Sequence, residues 1–320
     1  VSGNTSATPE NPRSQANPNP KSKIQNLKSP IHLAGPTGVG KTALALALAE
    51  RLDAEIVGAD AYQIYAGLPI LTAQPSAEDM RRVPHHLVGC VPAGESFDAQ
   101  RYVEMARPIL EEIAARGKMA LIVGGTGLYF RALIDGFAPT PASDATLRAE
   151  LEEMPLSDLV ERLSAADPAA PGQIDMRNKR RVTRAIEIVE LSGRPLAEFR
   201  NTPRTEATGL LLVRDREDLR RRIAANVEAM FEVGVVEEVR ALRDNVGPTA
   251  ARAIGFREIQ ALIRGEMTRA ECQEAIVTAT RHYVKRQLTW FRNQTTFSSL
   301  DLTGTQHPSD AVESALHALE

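Results

Sequence analysis

"AGPTGVGKTALALA", Ala34 to Ala47, decides the fold. It contains the pattern GxxxxGK[ST], filled by Gly35, Pro36, Thr37, Gly38, Val39, Gly40, Lys41 and Thr42. The apolar run "PIHLAG" (Pro30 to Gly35) reads as a buried strand, and "KTALALALAERL" reads as a helix. In a strand, glycine-rich turn and helix arranged this way, backbone N–H groups and the helix dipole wrap a cluster of anionic oxygens. Lys41 adds a point charge, and a hydroxyl at the Thr42 position usually ligates Mg²⁺. Such a loop accepts pyrophosphate-like groups in general. It leaves open which phosphate is held and which bond beyond it breaks.

"AEIVGAD" (Ala54 to Asp60), "MALIVGGTG" (Met119 to Gly127) and "TGLLLVRD" (Thr208 to Asp215) read as further buried strands. The stretch from Ser96 to Arg116 is expected to be helical, with Pro108 a kink or a boundary. Strands alternating with helices predict an α/β fold, a P-loop NTPase-like core whose mainly parallel sheet is covered on both faces. Between about Pro139 and Pro203 the sequence is charged and helical with no strand candidate, which predicts an inserted all-helical subdomain. The expected organisation is a disordered tail over 1–29, rich in Asn, Pro and Ser; a catalytic core over 30–138 and 204–300; the insertion over 139–203; and a C-terminal tail over 301–320. Ligands of an open parallel sheet sit beyond the carboxyl ends of its strands. That rule gathers the phosphate loop, Asp60, Thr126 and Arg216 around one crevice.

The composition, 43% hydrophobic and 25% charged over 320 residues, is that of an ordinary globular chain. Two cysteines argue against a disulfide framework and a four-cysteine zinc site, and for a reduced, cytoplasmic setting. No apolar run is long enough to span a bilayer. The net charge of −3 does not advertise nucleic-acid binding, but its distribution is uneven. "RNKRRVTR" (Arg177 to Arg184) and "RHYVKRQLTWFR" (Arg281 to Arg292) are basic and carry no acid. Each alone reads as a solvated helix face; together they are candidate grips for a polyanion.

Position alone leaves Asp60 open between a metal ligand, a helix cap and a general base. After residue 90 no strand ends in an obvious Walker-B aspartate, which disfavours an ordinary ATPase. Thr126 is expected to open a helix, either as a simple cap or facing a leaving-group oxygen. The neighbours His85 and His86 point to opposite faces of an extended chain, so local hydrogen bonding is expected rather than a shared metal. Trp290 and Phe291 are expected in the core.

Taken in order, "GPTGVGKTALA", "EIVGADAYQIYAGL", "VPHHLVG", "ESFDAQRY", "IVGGTGLYFRAL", "RRVTRAIEIVELSGRPL", "MFEVGVVEEVRAL", "RAIGFREI" and "TRHYVKRQLTWFR" resemble the bacterial tRNA dimethylallyltransferases, also called tRNA isopentenyltransferases. The resemblance runs from about Ile31 to Arg292, and "GGTGLY" and "KRQLTWFR" are its most specific parts. It implies transfer of a dimethylallyl group from its diphosphate to N6 of the adenosine just 3′ of the anticodon, with Mg²⁺ required. The loop would then cradle the diphosphate, and the bond that breaks would be carbon–oxygen.

By the same resemblance Asp60 matches the catalytic aspartate, and Lys41, Thr42 with Mg²⁺, and Arg216 stabilise the leaving diphosphate. Thr126 matches a threonine at the junction of the two substrates. Asp60, Ala61, Tyr62 and Gln63 match the segment that meets the flipped base; Arg148 matches a second tRNA contact. Arg180, Arg181, Val182, Thr183 and Arg184 match a further tRNA-contacting stretch, and Arg252, Gly255 and Arg257 lie in another. The implied partner is the tRNA anticodon stem-loop, and nothing calls for more than a monomer. The chain departs from the family at Ala61, where Ser is common, and at Leu71 and Gln74, where Gly and Lys are usual. Arg180 stands where Gln is common, and compensation for the charge lost at Gln74 is one expectation.

Two other enzymes fit parts of the pattern. A P-loop nucleoside or small-molecule kinase explains the loop and Asp60 but not the late basic helices. An isopentenyltransferase acting on free adenine nucleotides would share the core and need no grip on an anticodon loop.

Overall fold

The apolar run before the phosphate loop becomes β1 (Ile31–Ala34), buried along its whole length. In the computed structural model, which describes residues 29–137, 140–199, 205–242, 245–305 and 308–320, β1 sits inside a six-stranded sheet. The other strands are β2 (Ala54–Gly58), β3 (His85–His86), β4 (Met119–Gly124), β5 (Gly209–Val213) and β6 (Ser298–Asp301). Their order is β3-β2-β4-β1-β5-β6, and every pairing is parallel. The sequence expectation of a parallel α/β core holds. The expected boundaries at Pro139 and Pro203, and all of the expected tail except Ser29, lie outside the described residues.

Side chains alternate across a strand, so each strand feeds two cores. Ile31, Leu33, Ile56, Leu121, Leu210 and Leu212 face one side, where α1 (Lys41–Leu52) buries Leu44 and Leu48. Ala34, Val57, Ile122 and Leu211 face the other. That side is covered by α3 (Ala99–Ala115), α4 (Gly127–Ile134), α8 (Arg216–Glu232), α9 (Val235–Leu242), α10 (Phe256–Ile263) and α11 (Arg269–Gln294), while the short α2 (Ala77–Arg82) buries no residue. Phe291 is fully buried there, and Trp290 packs partly buried beside it.

Two sequence expectations need correcting. Pro108 does not end α3, which runs through it from Ala99 to Ala115. It sits on the exposed face, four residues after exposed Glu104, so water can satisfy the carbonyl that its missing N–H leaves free. Residues 301–320 are not a tail. β6 pairs with β5, matching Leu210 with Ser298, and α12 (Val312–Leu319) buries Val312, Ala315 and Leu316 in the same core as α1. Spacing of three and four residues gave that helix its apolar stripe, whereas "SSLD" in an edge strand has too little apolar content to read as one.

The insertion folds around its own core. Helices α5 (Ala145–Glu153), α6 (Leu156–Ala166) and α7 (Lys179–Ser192) bury Leu151, Leu159, Leu163, Val182 and Ile186 together. Glu187 is also fully buried. Burial alone would raise its pKa, but hydrogen bonds from Arg148 and Ser143 and the nearby Arg184 outweigh that and hold it below the ordinary value. Arg184 also donates to the Thr140 hydroxyl and the Pro141 carbonyl, tying α7 to the strand of chain that enters the insertion.

A similar anion lies under β3. Glu55 accepts from Arg116 and hydrogen-bonds His86 at 2.8 Å, while His85 hydrogen-bonds the Val83 carbonyl. Each histidine thus finds a local partner of its own. Burial pushes the Glu55 pKa up, but hydrogen bonds from Arg116 and His86 together hold it below the ordinary glutamate value. A depressed carboxylate pKa stabilises the fold above the unfolded pKa and is lost as pH falls through the folded one. Unfolding followed by denaturant from neutral to acid pH should therefore show a Glu55→Gln variant that is weaker at pH 7 and less acid-sensitive below about pH 4.5. Parallel pH profiles for the two proteins would refute this.

Candidate active site

The loop from Gly35 to Gly40 turns into α1 through left-handed backbone at Gly38 (φ 81°) and Gly40 (φ 105°), which side chains other than glycine's rarely adopt. Two arginines grip it, one directly after β5 and one on α8. Arg214 donates from Nε to the Val39 carbonyl at 2.8 Å, and Arg222 donates from Nε to the Gly38 carbonyl at 2.9 Å. With these carbonyls turned outward, the loop N–H groups are left to face an anion. Lys41 is half-buried, and its ammonium donates to the Pro36 carbonyl at 2.9 Å. Burial pushes its pKa down to about 8, with the Asp60 carboxylate acting in the opposite direction.

Arg216 does not take part in this grip. Asp215 caps α8 by accepting from Glu217 and Asp218 N–H, and Arg216 stands exposed in the first turn. Arg222 lies six residues further on, about 120° around the helix. It shares its side of α8 with buried Leu219 and Ile223, and both of these pack near Gly38. Sequence alone does not choose among the arginines of "VRDREDLRRR"; the apolar phase of Leu219 and Ile223 is the signal that could have.

β2 and β4 end side by side, and both deliver site residues. A Cβ on Gly124 would stand 2.0 Å from the Ala59 carbonyl oxygen, and one on Gly127 would stand 2.1 Å from the Trp290 ring. The glycines of "GGTG" are thus required by close approach of β2 and α11. Thr126 is the N-cap residue of α4, but its side chain does not cap. Its hydroxyl accepts from Ala61 N–H at 2.9 Å. Asp60 accepts from Tyr62 and Gln63 N–H, both through Oδ1. The second carboxylate oxygen of Asp60 has no protein partner among the described residues. Tyr283 of α11 turns its hydroxyl toward Thr126, and burial raises its pKa.

Asp60 and Thr37 line one cavity of about 100 Å³. Its walls are mainly aliphatic: Ile223, Val227 and Met230 of α8, Ile254 before α10, and Ile276 of α11. Leu71, Tyr62 and Tyr283 add to it, and the polar side chains of Thr72, Asn226 and Thr280 also reach it. Residues 223 to 230 span about 10 Å along α8, so the cavity runs away from the phosphate loop for that distance. A cation held at Thr42 would rest on the hydroxyl and on oxygens of a bound diphosphate, in keeping with Mg²⁺, which is usually held by few protein ligands plus phosphates. No cluster of three or more His, Cys, Asp or Glu is present among the described residues to cage it alone.

The loop carrying Asp60 is locked from both ends. Gln63 donates to the Thr72 and Ala73 carbonyls, and Gln74 donates to the Gln63 and Tyr65 carbonyls. Glu238 accepts from Ile70 and Leu71 N–H. Gln74 therefore works on the backbone, a role that the sequence did not suggest.

The basic residues divide into two groups. Arg180, Arg252 and Arg286 act electrostatically on the Tyr62 phenol, so three separate elements bring positive charge to the cavity mouth. Arg181 and Arg257 are exposed, as are Arg281, Lys285 and Arg292 on α11. Arg148 and Arg184 are instead engaged with Glu187. Val182 and Thr183 are buried in the insertion, and Gly255 is buried at the start of α10 against Leu71 and Ile276. The helix phase that exposes Arg180 and Arg181 turns the Val182 and Thr183 side chains inward, so neither offers its side chain to an RNA.

The phosphate loop and Asp60 stand beside a mainly apolar cavity. The profile of the IPP transferase family matches residues 63–294. The chain belongs to the IPP transferase family. It is 41% identical over 294 residues to the tRNA dimethylallyltransferase of Akkermansia muciniphila, covering 90% of this chain and 99% of that one. It is 42% identical to the enzyme of that name from Geobacter sulfurreducens, covering 82% and 88%. Among solved structures, the tRNA isopentenylpyrophosphate transferase of Bacillus halodurans superposes with a TM-score of 0.66 at 34% identity, covering 90% of this chain and 94% of that one. A eukaryotic dimethylallyltransferase captured acting on tRNA superposes at 0.76 with 26% identity, covering 90% and 77%. No helix among the described residues is long and apolar enough to cross a membrane.

Proposed function

We propose that this IPP transferase moves a dimethylallyl group from dimethylallyl diphosphate to N6 of the adenosine immediately 3′ of the anticodon in tRNA. The observation that carries the reading is a cavity lined by Thr37 of the phosphate loop and by Asp60, with walls that are mainly apolar. A branched five-carbon chain suits those walls, whereas a kinase would have to place a polar acceptor there. The loop amides, Lys41 and Arg222 receive the diphosphate, and Thr42 would hold Mg²⁺ there. Mg²⁺ supplies charge neutralisation on the leaving group.

The C1–O bond breaks as C1 becomes cation-like, and the departing oxygen gains charge. Donors already aimed at it lower the barrier. The target adenine is unstacked and enters from the rim of Arg180, Arg252 and Arg286. Its N6–H hydrogen-bonds the free oxygen of Asp60, which orients the amine and takes the proton as the N6–C1 bond forms. The hydroxyl of Thr126 keeps Ala61, and with it the base-contacting segment from Asp60 to Gln63, against the donor site. One copy of the chain supplies all of these groups.

Labelled dimethylallyl diphosphate, Mg²⁺ and unmodified tRNA, with AMP and ATP controls, test the reading. Label in tRNA supports it; label in AMP alone moves the function to free nucleotides, and phosphate transfer from ATP makes the protein a kinase. Arg222→Ala is expected to weaken pyrophosphate binding by roughly 10- to 100-fold, as for a lost charge-assisted hydrogen bond, while Arg216→Ala leaves it within twofold or so. Calorimetry with pyrophosphate and Mg²⁺ separates the two; the reverse ranking would return Arg216 to the site. Arg181→Ala is expected to lower tRNA affinity and reduce the slope of log K against log salt by about one unit. An unchanged slope would remove Arg181 from the interface.

A further inference from the structure

Gln287 is a primary amide buried in α11, only 4% exposed, and it lies under the phosphate loop rather than on the basic face of its helix. Its carbonyl oxygen accepts from Thr37 N–H at 3.1 Å, and its NH₂ donates to the Gly125 carbonyl at 2.9 Å. The two partners fix the orientation of the amide, since a flip would set donor against donor and acceptor against acceptor. Gly125 is shaped for the contact: a Cβ there would stand 2.3 Å from the Gln287 nitrogen.

The Thr37 N–H and the Pro36 carbonyl belong to one peptide plane and point in opposite directions across it. Gln287 holds the N–H side, and the ammonium of Lys41 donates to the carbonyl side at 2.9 Å. The lysine is therefore aimed by a plane that Gln287 sets. The same side chain fixes the Gly125 turn, whose next residue is Thr126. One amide thus sets the distance between the donor loop and the turn that faces the acceptor.

We propose that Gln287 is a positioning residue for diphosphate capture and transfer: it orients the Pro36–Thr37 peptide that aims Lys41 and registers the phosphate loop against the Gly125–Thr126 turn. This rests on the reading of the loop as a diphosphate-donor site. Thr37 N–H is thereby committed to Gln287, and the anion is received by amides later in the loop.

Gln287→Met keeps the length and burial of the side chain and removes both hydrogen bonds. Pyrophosphate affinity with Mg²⁺, tRNA affinity, and the kinetics of dimethylallyl transfer would be measured on both proteins. Pyrophosphate affinity and kcat/KM for dimethylallyl diphosphate should each fall about tenfold or more, as small displacements of aligned groups do, with tRNA affinity held within about twofold. Amide exchange on the wild-type protein adds a readout that needs no variant: Thr37 N–H, outside any helix or strand, should be protected. Unchanged pyrophosphate binding and transfer in the variant, an equal fall in tRNA and pyrophosphate affinity, or fast exchange at Thr37 would each overturn the proposal. Wild-type protein that binds no pyrophosphate and transfers no label would instead overturn the donor reading, and this inference with it.

Discussion

Asp60→Ala is expected to keep its affinity for tRNA and for pyrophosphate and to lose transfer by roughly 10²- to 10⁴-fold in kcat, the range for removing a positioned general base. The side chain is held for that task. Oδ1 is fixed by the N–H groups of Tyr62 and Gln63, which leaves the second oxygen without a protein partner among the described residues. Adenine N6 is a poor nucleophile because its lone pair is delocalised into the ring. It needs alignment before attack and a proton acceptor during it. Asp60→Asn separates these needs, since it preserves shape and removes the base; it should resemble the alanine variant in kcat. A kcat within tenfold of wild type for both variants would mean that the carboxylate only shapes the turn. Loss of tRNA binding in parallel would make Asp60 a contact residue alone.

The second large effect falls on stability. Gly124→Ala would drive a methyl group to 2.0 Å from the Ala59 carbonyl oxygen. That oxygen cannot retreat freely, because it accepts from Thr126 N–H at 3.2 Å, while Ala59 N–H donates to the Val123 carbonyl at 2.7 Å. The clash is with backbone on both sides, so relief requires β2 and β4 to part at their carboxyl ends. A loss of roughly 3 kcal/mol or more is expected. Any folded fraction should also be slow in transfer, because Asp60 follows Ala59 directly. A urea midpoint equal to that of the wild type would show that the strand ends yield without cost.

The parts legible in sequence were those with strong local signals. The phosphate loop, four of the six strands and the helical character of the insertion follow from glycine pattern, apolar runs and period. β3 was hidden because two histidines carry no strand signal, and β6 because an exposed edge needs no apolar face. The placement of the loop and of Asp60 followed from strong local signals, and Thr37 and Asp60 do line one cavity. The site was not legible where charge had to be assigned a direction. Arg214 and Arg222 are marked only by the phase of their neighbours, and Arg148 and Arg184 look like free cations until Glu187 is found buried between them. Gln287 was read within a basic helix face, and its burial comes from tertiary packing across more than 160 residues of separation from Gly125.

The order of the sheet also governs how the chain can be assembled over time. β1, the first strand described, pairs with β4, matching Ile31 with Leu121, and with β5, matching His32 with Gly209. β5 in turn waits for β6 at Ser298. Each closure is long-range, and long-range closure is slow. The insertion has only local pairings to make. During synthesis it can acquire structure while the phosphate loop and β1 remain unpartnered on one side, and an exposed strand edge at that stage invites association with other chains. The phosphate loop, encoded near the start, is therefore among the last parts of the core to be enclosed.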